Sequence, residues 1–169
     1  MRKLFMLFAF TALTTAGFAQ QEDDDEDGPA KPPSKNAKQV YGEFLGNGLL
    51  FTVNYDFRFG QRQKGLGMRL GLGFFGGSDG GIFTVPIAIN NLSGRAPNYL
   101  EIGLGATYAG FTDGDDFFDD ASAVLIVPSI GYRYQPRGKG FTGRIALSPL
   151  VSTNGGFLTW GGISAGYRF

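Results

Sequence analysis

The sequence predicts an all-β fold, specifically an eight-stranded antiparallel up-and-down transmembrane β-barrel, and three observations carry that expectation. From Gln39 to Phe169, apolar and polar residues alternate in eight runs, the period of strands with two unlike faces. The breaks between runs are short, Gly-rich or charged, and cannot make the crossovers that parallel strands require. The polar parity is mostly Gly, Ala, Ser and Thr, whereas the wet face of a soluble sheet would be rich in Lys, Glu, Thr and Gln. Composition agrees, with 28 Gly, 17 Phe and 7 Tyr in 169 residues, an excess that suits a turn-rich β chain. There is no Cys and no His, and the formal charge is zero. Disulfides and thiolate metal sites are excluded, and nothing suggests a nucleic-acid partner.

The chain opens with an address. Arg2 and Lys3 precede an apolar run from Leu4 to Leu13, and Gly17 and Ala19 stand before Gln20. That is the layout of a signal peptide over 1–19, and the run is shorter than the roughly 20 residues a membrane-spanning helix needs. Residues 20–38 follow, with six consecutive acids from Glu22 to Asp27 and with Pro29, Pro32 and Pro33. Like charges repel and proline breaks regular structure, so this segment is expected to be a disordered, solvated periplasmic tail.

The barrel is expected over 39–169, with strands at 39–46, 49–60, 65–76, 81–91, 98–110, 122–135, 140–152 and 156–169. Asn47-Gly48 has the residues of a two-residue hairpin turn. In the fifth strand Leu100, Ile102, Leu104 and Tyr108 share one face, opposite Glu101, Gly103, Gly105 and Thr107. In the third, Met68, Leu70, Leu72 and Phe74 oppose Arg69, Gly71, Gly73 and Phe75. Small residues suit the narrow interior of an eight-stranded barrel, and large apolar ones suit a lipid-facing wall. Closure also pairs every strand edge, which hydrocarbon requires. Pro86, Pro128 and Pro149 sit within strands, where each removes a ladder donor and bulges are expected.

"YLEIGLGATY" and "WGGISAGYRF", with the leader and the terminal aromatic, resemble the small outer-membrane barrels of Gram-negative bacteria, the OmpA/OmpX type, and most of all those of the Bacteroidetes group. The resemblance spans about 39–169 and lies in pattern rather than invariant motif. It implies that Ile163, Ala165, Tyr167 and Phe169 form the signal read by the barrel-assembly machinery. It also implies outer-membrane lipid and lipopolysaccharide as surroundings. An even strand count puts both termini on the periplasmic side. Periplasmic links then carry Arg62, Lys64, Arg95, Arg137 and Lys139, and outer links carry Asp79 and the acids of "FTDGDDFFDDAS".

Eight charges fall on the interior parity: Glu43, Asp56, Arg58, Arg69, Glu101, Arg133, Arg144 and Arg168. Desolvation demands that they pair, so a polar plug is expected in the periplasmic half of the lumen. Above it Gly71, Gly73, Gly103, Gly105, Ala146 and Ser148 are expected to leave room for water or a small ligand. Asp113, Asp115, Asp116, Asp119 and Asp120 of the outer loop offer oxygen ligands to a divalent cation such as calcium, with a solvated, repelling loop as the alternative. No other cofactor is expected.

Catalysis is not expected, since without His there is neither a Ser–His nor an Asp–His arrangement. A wide diffusion pore does not fit eight strands. The expected function is a structural or adhesive outer-membrane barrel whose acidic loop meets a partner that the residues do not name. The alternatives are a narrow ion-conducting barrel gated by interior charge pairs, and a soluble secreted lipocalin-like binder of a small ligand.

Overall fold

The computed structural model describes residues 37–60, 63–77, 80–112, 122–152 and 156–169. The leader and most of the acidic tail lie outside them, as do Asp113–Asp120 of the outer loop. The described chain forms a closed antiparallel β-barrel of eight strands. Its first six strands are β1 (Lys38–Leu45), β2 (Phe51–Arg58), β3 (Gly65–Gly77), β4 (Gly80–Arg95), β5 (Asn98–Thr112) and β6 (Ser122–Tyr134). The seventh comes in two pieces, β7 (Gly140–Leu147) and β8 (Leu150–Ser152), and so does the eighth, β9 (Phe157–Leu158) and β10 (Gly161–Arg168). Neighbours in sequence are neighbours in space, and β10 closes the barrel on β1, from Gln39↔Arg168 to Leu45↔Gly162.

Register accounts for the breaks. Ile130 faces Leu147 and Ile126 faces Val151, four residues back matching four forward. Leu147 faces Gly161 and Leu150 faces Leu158, three forward matching three back. Both hairpins therefore keep one register across the gap, and the expected bulges do not form in these two hairpins. Pro128 and Pro149 fall opposite each other in this continuous register. The Ser148 N–H donates to the Trp160 carbonyl at 2.9 Å, so the next residue, Pro149, presents its ring nitrogen toward β6. Two missing donors thus share one gap. Pro86 acts likewise: it stays paired with Thr107 on β5, while the β3–β4 ladder skips from Leu70↔Ile87 to Gly73↔Thr84 in unchanged register.

The stagger follows from the pairings. From Tyr167 the paired residues run through Val40, Tyr55, Leu70, Ile87, Ala106, Ile126 and Val151, and return to the eighth strand at Phe157. One circuit therefore climbs ten residues. With about 3.3 Å rise per residue and about 4.7 Å between strands, that stagger tilts the strands by about 40°, inside the range for closed barrels. Strand ends also differ from the sequence expectation. β4 runs on to Arg95 and turns to β5 through the cis Ala96–Pro97 pair, because Leu92, Ser93, Gly94 and Arg95 stay paired with Glu101, Leu100, Tyr99 and Asn98 of β5.

Candidate functional site

Three surfaces carry chemistry: the outer wall, the lumen and the two mouths. The outer wall presents the apolar parity throughout. Val53, Leu72, Ile89, Leu104, Ile145, Leu147 and Ile163 are each more than half exposed. At the end holding Ala37 and Phe169 the wall turns aromatic, with Tyr55, Phe59, Tyr132, Tyr134, Phe141, Tyr167 and Phe169 exposed. Near the other end Phe44, Phe51, Phe74, Tyr108 and Phe157 are exposed. Tyr167 and Phe157 lie ten residues apart along one strand. At about 3.3 Å per residue and about 40° tilt, these two aromatics stand about 25 Å apart along the barrel axis.

The lumen inverts this pattern. Glu43, Asp56, Arg58, Arg69, Glu101 and Arg133 are each at most 1% exposed, because they stand on the parity that points inward. Seven of the eight predicted charges join one chain of alternating sign. Asp56 accepts from Arg58 at 2.5 Å, from Asn90 at 2.8 Å and from Arg133 at 3.1 Å. Arg133 Nη2 also approaches Glu101 Oε2 to 2.5 Å, without the angle of a hydrogen bond. Arg144 spans two acids, donating to Glu101 at 3.0 Å and to Glu43 at 2.7 Å. Arg69 closes the chain, 3.7 Å from Glu43 and donating to the Tyr41 hydroxyl at 3.0 Å. Strands β1, β2, β3, β5, β6 and β7 are strapped together across the bore, and β4 joins them through Asn90. Arg168 stands apart at the terminal mouth, where it donates to the Pro136 carbonyl at 2.5 Å.

The glycine-lined space expected above the charges holds the β1–β2 connection instead. Gly46–Gly48 form a single 3-10 turn whose three residues are all buried. The turn bends into the lumen, where Thr84 donates to the Gly48 carbonyl at 3.0 Å and Thr107 to the Asn47 carbonyl at 2.5 Å. Asn47-Gly48 is therefore not a two-residue hairpin turn but the tip of a plug. The lumen glycines make room for it and for its neighbours. A Cβ on Gly162 would lie 2.5 Å from the Gly46 nitrogen, and one on Gly71 would lie 2.2 Å from Asn54 Oδ1. A trace of the plug stood in the sequence: "LGNGLLF" breaks the alternation with three consecutive apolar residues.

At the mouth beside Phe169, described residues of two links are hydrogen-bonded to each other. Gln63 donates to the Arg137 carbonyl, and Gln135 to the Gln63 carbonyl at 3.3 Å. Ile163, Ala165, Tyr167 and Phe169 all face outward on the closing strand. The Phe169 N–H donates to the Lys38 carbonyl at 3.1 Å. Asp113, Asp115, Asp116, Asp119 and Asp120 lie outside the described residues. The chain matches no family model, no curated protein and no solved structure.

Proposed function

We propose that this barrel is an integral outer-membrane protein of a Gram-negative envelope, with a structural or adhesive role and both termini in the periplasm. One observation carries the reading: a closed wall that turns its apolar parity outward on every strand, with aromatics about 25 Å apart along its closing strand, has the dimensions of a bilayer-facing barrel wall. Contiguous apolar patches on soluble monomers rarely exceed a few hundred Å², whereas this wall is apolar around the whole circumference. The interior supports a rigid scaffold, since charges that desolvation would make costly are strapped across the bore. The acidic loop of residues 113–120, which links β5 to β6, is the interaction site on this reading, and a divalent cation held there bridges to lipopolysaccharide phosphates. The test is fractionation of expressing cells, with gel mobility compared before and after boiling. Heat-modifiable migration of outer-membrane material is expected. A detergent-free soluble protein would overturn the proposal. Deleting 113–120 is then expected to leave the mobility shift intact and abolish surface binding.

A further inference from the structure

The inward parity changes character toward the mouth away from the termini. Deep in the bore it holds Arg and Glu, but beyond the plug it holds Phe75, Ile82, Leu150, Leu158 and Trp160. A polar plug against water needs none of these. They line a recess of about 230 Å³, open on the side of Phe75 and Leu158, that is also bordered by Leu49, Phe51 and Phe74. Phe51 and Phe74 flank the Thr52↔Gly73 register pair on the outward face, and both are more than half exposed. The cavity is therefore continuous with the apolar wall at the β2–β3 rim. Leu49 is held there in a conformation that leucine rarely adopts, with φ 76° and ψ −78°, and Leu45 on the other flank of the plug has φ 61°. Such backbone is strained and persists where surrounding structure enforces it, most often at binding and catalytic positions.

We propose that this cavity binds the hydrocarbon tail of a single-chain, medium-length amphiphile, with the head group at the mouth and the tail against Ile82, Leu150 and Trp160. The occupant follows from size and lining. At about 30 Å³ per water-sized group, the space takes a run of about eight carbons. That is longer than a benzene-sized guest and about half of a bilayer lipid's chain. The lining offers Thr84 as its hydroxyl, and that hydroxyl already donates to the Gly48 carbonyl. The buried Trp160 Nε1–H has no partner among the described residues and can donate once, so the chain-length dependence comes from methylene burial, which raises affinity about fourfold per carbon.

The chain's single Trp is in the wall of the cavity, so its fluorescence reports occupancy directly. Folded protein is titrated with ω-brominated n-alkanols of increasing length, whose bromine quenches indole on contact. Saturable quenching is expected, tightening about fourfold per methylene until about eight carbons and levelling off beyond. Ile82→Phe fills the space and is expected to weaken the eight-carbon alkanol at least tenfold. Leu158→Phe serves as a second filling variant, and boiling-dependent gel mobility checks that each has folded. Quenching that rises linearly with alkanol, keeps growing with chain length and ignores both variants is partition into the surroundings, and overturns the proposal. The titration is run on folded barrel in whichever medium fractionation shows it to occupy, vesicles or plain buffer, so a failed titration leaves the membrane assignment standing and a failed membrane assignment leaves the titration to be read in buffer.

Discussion

At the scale of single residues, the lumen is governed by desolvation. Arg133 and Arg144 are register partners of like charge on adjacent strands, an arrangement that repels unless acids intervene. Glu101 intervenes, within 2.5 Å of Arg133 and 3.0 Å of Arg144. Replacing it with Gln keeps the shape and leaves two buried guanidinium groups facing each other with less compensation. Glu101→Gln is therefore expected to lower stability by about 3–5 kcal/mol, read as a fall in the urea midpoint of the refolded barrel. Arg168→Gln makes the contrast. Arg168 is 4% exposed, and its side chain reaches the Pro136 carbonyl rather than the acid network. Its loss should cost about 1 kcal/mol, the worth of one hydrogen bond. Equal losses from the two variants would mean that burial, not pairing, sets the cost.

At the scale of elements, the β1–β2 connection behaves as a plug because two glycines meet. Gly162 of β10 packs against Gly46, where an added Cβ would sit 2.6 Å from the Gly46 Cα. Backbone cannot yield there without moving the turn. Gly162→Ala is thus expected to push Gly46–Gly48 out of the lumen while β10 stays paired with β1. The chain has no Cys, so Asn47→Cys reports the position of the turn. In the parent barrel the residue is 1% exposed and should resist a charged maleimide, and with Gly162→Ala its labelling rate should rise at least tenfold. Labelling that stays slow would show that the turn absorbs the added methyl in place, and fast labelling of the parent would show that the plug already opens on its own. The proline gap is a second element-scale device. Pro128→Val with Pro149→Val restores two facing donors without changing register, and each restored ladder bond should add about 0.5–1.5 kcal/mol. Slower amide exchange at Ile130 and Val151 would show it.

At the scale of the whole molecule, the parts visible in the sequence were those set by period. Alternation such as Leu100, Ile102 and Leu104 against Glu101, Gly103 and Gly105 depends on neighbours two apart, so it yielded strand number, facing and the acid–base membership of the lumen. The plug was not visible, because its position depends on Gly162 meeting Gly46 across 116 residues of sequence. Nor was the apolar mouth, since Phe75, Ile82 and Trp160 read as exceptions to parity until closure brings them together. Closure also gives the terminal strand two separable roles. Phe169 donates its N–H to Lys38 at 3.1 Å and sets its ring 6.5 Å from that of Tyr55. The backbone bond survives Phe169→Ala, and the ring is half exposed. The purified, refolded barrel should therefore lose no more than about 1 kcal/mol, as surface truncations do. In cells the same change should cut insertion severalfold if the terminal aromatic is the tag that assembly reads. Phe141→Ala is the control, an aromatic 62% exposed on the wall beside the closing strand and paired with Tyr167. It should change neither readout by as much. Equal insertion losses from the two variants would make Phe169 one more aromatic of the outer wall, and would leave its pairing with β1 as its one role.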